Sequence, residues 1–332
     1  MLANLFLEGT LGNIYPKYQR TEEGLRNLCQ DFGSSNGFDI EVSPECPGIF
    51  YIGGELGIAL AFSQGCAFSI VESITVCVIG DGEFETSITQ ASWQGFKFLS
   101  RKRDGKVLPI INANGNKMSS MSLLSLKSRQ EQIDFFQSHG LFPIFVGTDH
   151  IKFAEGLNKA YRLLDRETPV IIFESPKGWT APEFFGDIPF ANTYKCHKPL
   201  LKNPATNTNQ AALIEHWLRS YQPEDLFDDK GAPYESSLAC LPENNFLIGN
   251  GYLWTNREKP KEFFVPTISN IDDAKTSMEA LEQLLFNIVK HDANFLVFSP
   301  DELISNRFGK ILEFSSLKFG ESYEGINTLS PN

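Results

Sequence analysis

The feature that most restricts the fold is a rhythm of short, almost unbroken apolar runs, each separated from the next by a helical period. The runs are Ile74-Thr75-Val76-Cys77-Val78-Ile79, Val107-Leu108-Pro109-Ile110-Ile111, Pro143-Ile144-Phe145-Val146 and Val170-Ile171-Ile172-Phe173. A strand with one wet face alternates apolar with polar residues, whereas a continuously apolar strand is covered on both faces. Between the runs, Glu85 to Leu99, Arg129 to Ser138 and Ile151 to Asp165 read as helices. The last of these places Ala154, Leu157, Ala160, Tyr161 and Leu164 along one side. Strands joined through helices need crossover connections, so the expected architecture is a three-layer α/β/α fold around a mostly parallel sheet.

Beyond Pro176 the rhythm loosens. Pro182 to Pro204 is rich in turn residues, Ala211 to Tyr221 reads as a helix, and Pro223 to Asn250 is acidic and loop-heavy. A helix around Met278 to Lys290 followed by Phe295-Leu296-Val297-Phe298 reads as the opening of a second βα unit. The expected division is therefore 1–265 and 266–332, the second part incomplete. Twenty-nine Lys and Arg stand against 41 Asp and Glu, a net charge of −12. Such a chain lacks the basic footprint that binding a nucleic-acid backbone requires. No stretch approaches the ~20 apolar residues of a membrane span. The start of the chain has no basic leader, and the six cysteines (Cys29, Cys46, Cys66, Cys77, Cys196, Cys240) include no C-x-x-C pair. Structural thiols in a reducing, cytoplasmic setting are the expectation.

Gly80-Asp81-Gly82-Glu83 closes the first run, and Asn114 follows the second. Open α/β sheets bind ligands beyond the carboxyl ends of their strands, so Asp81 and Asn114 are expected to face one crevice. The glycines are expected to permit a tight turn and close backbone approach to a phosphate. A carboxylate, an amide oxygen and a nearby carbonyl, that of Asn116, form a hard oxygen set suited to Mg²⁺. Two diphosphate oxygens and a water would complete ~6 ligands. The competing reading is a plain Gly-Asp-Gly turn. The arrangement resembles the thiamine diphosphate motif of transketolase-like enzymes.

Most of the chain also resembles phosphoketolase, a thiamine-dependent lyase that cleaves sugar phosphates with inorganic phosphate. The blocks that carry the likeness begin with Leu7-Glu8-Gly9-Thr10, Gly53-Gly54-Glu55-Leu56-Gly57 and Val78 to Thr86. They continue with Ser92-Trp93, Lys97-Phe98-Leu99, Pro176-Lys177-Gly178-Trp179-Thr180, His197, Trp217-Leu218-Arg219-Ser220-Tyr221 and Phe298 to Arg307. The resemblance implies a transketolase-like thiamine diphosphate-binding fold, with residues 1–265 as its diphosphate-binding domain and 266–332 as the start of a pyrimidine-binding domain. It implies Asp81, Asn114 and the Asn116 carbonyl as Mg²⁺ ligands. Gly80, Gly82 and Glu83 would lie against the diphosphate, with Gly54 in the same pocket. Lys177 and His197 would sit beside the cofactor and the reacting carbonyl. The implied activity is that of an aldehyde-lyase converting xylulose 5-phosphate or fructose 6-phosphate, with phosphate, to acetyl phosphate. The implied assembly is a homo-oligomer, or a pair with a second chain that supplies the pyrimidine side.

The sequence departs from that family at several places. Glu41, Tyr51 and Phe62 stand where histidines are expected, Ser87-Ile88 replaces Gly-Pro, and Asn116 replaces a tyrosine. Of His139, His150, His197, His216 and His291, only His197 matches a catalytic position. Further family histidines would lie before Met1, and the glutamate that activates the aminopyrimidine would lie beyond the matched segment. A phenol or phenyl group cannot exchange a proton near pH 7 as imidazole does. The isolated chain is therefore expected to be inactive. The alternative is a non-catalytic binding or regulatory module of the family.

Overall fold

The computed structural model describes residues 1–198, 201–243, 247–250, 276–292, 295–299 and 302–314. Its N-terminal part is helical. α1 (Leu2–Glu8), α2 (Thr10–Ile14) and α3 (Glu22–Asp31) enclose Leu5, Phe6, Leu11, Tyr18 and Phe38. α3 begins where the Thr21 hydroxyl accepts from the Gly24 N–H, and Glu22 and Glu23 complement the helix dipole in its first turn. Residues 32–58 then run without helix or strand to α4 (Ala59–Ser69).

Strands and helices alternate from there: β1 (Ile74–Gly80), α5 (Asp81–Phe84), α6 (Ser87–Ser92), β2 (Lys106–Ala113), α7 (Arg129–Ser138), β3 (Leu141–Val146), α8 (His150–Leu163) and β4 (Thr168–Glu174). The sheet order is β1-β2-β4-β3 and every pairing is parallel. Successive strand residues point to opposite faces. Ile79, Val107, Ile111, Val170 and Ile172 pack with Leu60 of α4, Trp93 and Phe136 of α7. Leu108, Ile144, Val146 and Ile171 pack on the other side against Ala160, Phe153 and Leu157 of α8. α8 lies close on β3 at Gly156, where a Cβ would sit 2.5 Å from Val146 Cγ1.

The structure departs from sequence expectation in four places. The single helix expected over Glu85 to Leu99 is α6 followed by a 3₁₀ segment, Trp93–Phe98. Thr86 caps a new helix start by accepting from Thr89 N–H, and a side chain at Gly95 would collide with Gln64. The buried side of α8 runs through Phe153, Gly156, Leu157, Ala160 and Leu164, while Ala154 and Tyr161 face water. Advancing by three and four from Phe153, rather than from Ala154, follows the 3.6-residue period through the close contact at Gly156. Among the described residues β1 is covered on one face only. Thr75, Cys77 and Ile79 are buried, but Val76 and Val78 are 55% and 64% exposed, because α8 packs over β3 and β4. Finally, residues 295–299 form no strand, since among the described residues no neighbouring strand offers them a ladder.

After β4 the chain forms the small hairpin β5 (Phe184–Phe185) and β6 (Ile188–Pro189), then α9 (Thr208–Arg219) and α10 (Glu235–Leu238). α11 (Ser277–His291) starts on a Thr276–Glu279 capping box. It holds α12 (Gly309–Phe314) through Glu282, whose Oε1 accepts from Lys310 N–H at 2.9 Å, and an Arg307–Glu279 ion pair of 2.6 Å lies alongside. The expected boundary at 265/266 lies outside the described residues, as do Pro199, Leu200, Pro300 and Asp301. Among the described residues no helix is long and apolar enough to cross a membrane.

Candidate functional site

A crevice of about 590 Å³ opens over the carboxyl ends of β1, β2 and β4. Parallel register creates it. Gly80 pairs with Asn112, so Asp81 and Asn114, just beyond the two strand ends, emerge at the same carboxyl end of the sheet. Asp81 is 2% exposed. Its Oδ2 accepts from Gly115 N–H at 2.8 Å, and the Ser122 hydroxyl and Gly82 N–H also bond the carboxylate. Loss of water outweighs these bonds and pushes the carboxyl above its ordinary range. Among the described residues no lysine or arginine reaches Asp81 at ion-pair distance. Lys177 acts on it only through a longer-range field.

Asn114 Oδ1 accepts from Asn116 N–H at 3.1 Å, which bends the chain at the end of β2. Lys177 Nζ then donates to the Asn116 carbonyl at 3.1 Å and the Lys117 carbonyl at 2.6 Å. A Lys117–Glu85 ion pair of 2.6 Å anchors the same loop, and Glu85 also accepts from Leu123 N–H. Glu83, also buried, accepts from Gly57 N–H at 3.0 Å. That bond ties the Gly53–Gly57 turn, with Gly54 beside the Glu41 side chain, to the end of β1. Neither Gly80 nor Gly82 takes a positive φ, so the expected tight-turn role is absent. What Gly80 provides is clearance, since a Cβ there would meet nothing within 4 Å.

Chemically this is an oxygen-rich strand end with two buried carboxylates, Asp81 and Glu83, neither in an ion pair among the described residues. Among the described residues no three of His, Cys, Asp and Glu converge on a metal position. A cation held here would have Asp81 as its anionic protein ligand, with Asn114 as an amide donor. The donor chemistry therefore fits a hard divalent ion carrying its own anionic ligand. The Asn116 carbonyl is engaged by Lys177 and is open to a metal only if that bond is shared or released.

His197 lies at the exposed end of a 3₁₀ turn, Tyr194–His197, and is not part of the crevice lining. Tyr51 packs against Phe62 with ring centroids 4.9 Å apart and the planes tilted by 37°. Burial, then the Glu55 and Glu83 carboxylates, push its phenol above the usual range.

A model described as the XFP N-terminal domain matches residues 1–257. The "Probable phosphoketolase" of Brucella abortus (strain 2308) is 34% identical over 94% of this chain and 43% of that protein. The "Probable phosphoketolase" of Clostridium acetobutylicum is 35% identical over the same shares. The chain belongs to the phosphoketolase family. It spans less than half the length of these curated relatives. A transketolase from Campylobacter jejuni superposes with a TM-score of 0.54 at 15% identity, over 86% of this chain and 46% of that one. That likeness is one of fold, a three-layer α/β transketolase-like architecture.

In this phosphoketolase-family chain the crevice also holds residues that motif reading passed over: Ser122, Lys127, Arg129 and Asn192. A signal for two of them was present. Ser128 and Glu131 form a capping box, so α7 starts there, and a helix that follows a parallel strand starts on the crevice side. Lys127 and Arg129 flank that start. Arg129 pairs with Glu174 at 2.8 Å, over the Phe145 ring. Ser122 carried no comparable signal, because a loop brings it to Asp81.

Proposed function

We propose that this phosphoketolase-family chain binds thiamine diphosphate with Mg²⁺ over the ends of β1 and β2. It would be the diphosphate-side part of an aldehyde-lyase acting on xylulose 5-phosphate or fructose 6-phosphate with inorganic phosphate, yielding acetyl phosphate. The observation that carries the reading is Asp81, a carboxylate buried without an opposing charge next to an amide oxygen and open space above Gly80. Burying such a charge is costly unless a cation joins it. Asp81 and Asn114 would hold the metal, and the Asn116 carbonyl would join them where Lys177 yields it. Gly80, Gly82 and Glu83 would line the diphosphate side, with Gly54 near them. Lys127, Arg129 and Lys177 bring positive charge to phosphate in an otherwise acidic protein. When bound, the thiazolium supplies the electron sink that lets a carbon–carbon bond beside a ketone break.

The isolated chain is expected to be catalytically silent. Tyr51 and Phe62 form an aromatic pair that cannot accept and return protons at neutral pH, and His197 stands away from the crevice lining. A second copy or another chain would supply the pyrimidine side. Residues 1–265 would serve as the diphosphate domain and 266–332 as the start of its partner domain. The Tyr51–Phe62 pair favours a second reading, a family member that binds the cofactor without turning over. All six cysteines are unpaired, which suits a reducing cytoplasm.

Calorimetric titration with thiamine diphosphate and MgCl₂ tests the reading. Saturable heat that vanishes in Asp81→Ala is expected, and no heat at millimolar cofactor would sink it. A parallel assay is expected to find no acetyl phosphate from the isolated chain. Measurable product would discard the silent-chain reading while leaving cofactor binding intact.

A further inference from the structure

Two sequence blocks with no assigned joint task, Pro176–Thr180 and Trp217–Tyr221, meet in space. Thr180 has φ +73°, in the left-handed region. Glycine enters that region freely, and Gly178 does so nearby at +72°. A β-branched residue crowds its own backbone there and needs outside support. α9 and the residues just after it provide that support. Trp217 Nε1 donates to the Thr180 carbonyl at 3.0 Å, and the Thr180 hydroxyl lies 2.6 Å from the Tyr221 hydroxyl. Trp217 Nε1 is also 3.2 Å from that hydroxyl, so three groups close on one another. The Trp217 ring meets Phe185 edge-on, with centroids 6.3 Å apart.

The turn held in this way carries Lys177. Trp179 N–H donates to the Pro176 carbonyl at 3.0 Å, and Ala181 N–H to the Gly178 carbonyl at 2.9 Å. On the other flank, Asn192 N–H donates to the Lys177 carbonyl at 2.6 Å. With its backbone fixed at both sides, the lysine reaches the Asn116 and Lys117 carbonyls beside the crevice. We propose that Trp217 and Tyr221 are positioning residues: a clasp that keeps Thr180 left-handed and thereby seats the Lys177 ammonium at the Asn116–Lys117 turn. The inference deepens the reading of Lys177 as a phosphate-side cation, but its geometry stands without any cofactor.

The test reads Lys177 directly in the full-length chain, by its labelling rate with an amine-acylating reagent resolved by peptide mass spectrometry. Lys106 is the internal reference, because its ammonium also donates to two carbonyls, those of Arg101 and Asp104, at the other end of β2. In Trp217→Phe/Tyr221→Phe the Lys177 rate should rise about tenfold, the scale set by the left-handed penalty of a residue with a Cβ. Lys106 should not change. The milder Tyr221→Phe alone should raise Lys177 about threefold, since one of the supporting bonds to Thr180 remains. Adding Thr180→Gly to the double variant should bring Lys177 back to within about threefold of the parent, because glycine holds the turn unaided. Unchanged Lys177 labelling in both variants overturns the clasp. So does an equal rise at Lys177 and Lys106, or a double variant that Thr180→Gly does not rescue. Failure of thiamine diphosphate to bind would leave these rates untouched, so the two readings fail separately.

Discussion

On one side of the crevice, Asp81 and Asn114 follow directly from hydrogen-bonded neighbours in the sheet, and their separation is set by the β1–β2 register. Outside the crevice lining, Glu41, Tyr51 and Gly54 lie in residues 32–58, which have no helix or strand and are tied by bonds such as Gly53 N–H to the Val42 carbonyl and Gly57 N–H to Glu83. The sheet side keeps a buried carboxylate beside an amide. In that loop, and at the facing position of α4, the expected imidazoles are replaced by the Tyr51 phenol and the Phe62 phenyl, tilted against each other. Strand-end chemistry is inherited from a core that cannot shift without losing packing. Loop chemistry can drift, since changing a half-exposed side chain disturbs little around it.

Four measurements would break or sharpen that contrast. The largest effect is expected beneath the sheet side. Ile111, fully buried between Ile79 and Ile172, should lose about 2–5 kcal/mol of urea-unfolding stability on change to Ala. Phe62→Ala on α4, against the loop residue Tyr51 and 38% exposed in the parent, should lose less than about 1.5 kcal/mol. Equal losses would remove the contrast.

Next is Asp81→Asn. Without the carboxylate, Mg²⁺-dependent binding of thiamine diphosphate should weaken on the order of a hundredfold in calorimetry, about 2.7 kcal/mol. The same variant has a pH signature. Because the folded carboxyl has a raised pKa, the folded chain holds a proton that the unfolded chain releases just above 3.8, the ordinary value. The Asp81 contribution to stability therefore falls as pH rises through that window. Asp81→Asn should remove this contribution, so the difference between variant and parent urea midpoints should change across mildly acidic pH, and a constant difference would contradict the raised pKa.

A smaller effect is expected from restoring imidazoles. Tyr51→His and Phe62→His, singly and together, should leave cofactor affinity within about threefold. They should add NMR-detected titrations near the ordinary histidine value of about 6.5. A large gain in affinity would mean that the aromatic pair blocks the crevice. The smallest effect belongs to His197→Ala. This exposed side chain has no hydrogen-bond or ion-pair partner among the described residues, so the variant should stay within about 0.5 kcal/mol of the parent. A loss of cofactor affinity there would instead bring His197 into the crevice in the bound state.

Legibility in the sequence followed the same division. The four strands, the parallel sheet and helix α7 could be read from apolar runs and their punctuation. So could the placing of Asp81 and Asn114, since each directly follows a run. The broken helix after Glu85 could have been suspected from Thr86 and Gly95, but Gly95 matters because Gln64 fills its space, and that is a contact from another helix. The choice of Phe153 over Ala154 as the buried edge of α8 depends on where β3 lies beneath it.

Local pattern thus decided which segments become strands, that they run parallel, and which acidic and amide residues emerge at their ends. Those properties follow from side-chain periodicity and chain connectivity, which are local. Only the tertiary structure decided that Asp81 is buried with no counter-ion among the described residues, that Lys177 rests on two carbonyls 60 and 61 residues away, and that Thr180 bonds Trp217 and Tyr221. Desolvation and long-range hydrogen bonds depend on what packing brings together, and no spacing along the chain encodes them.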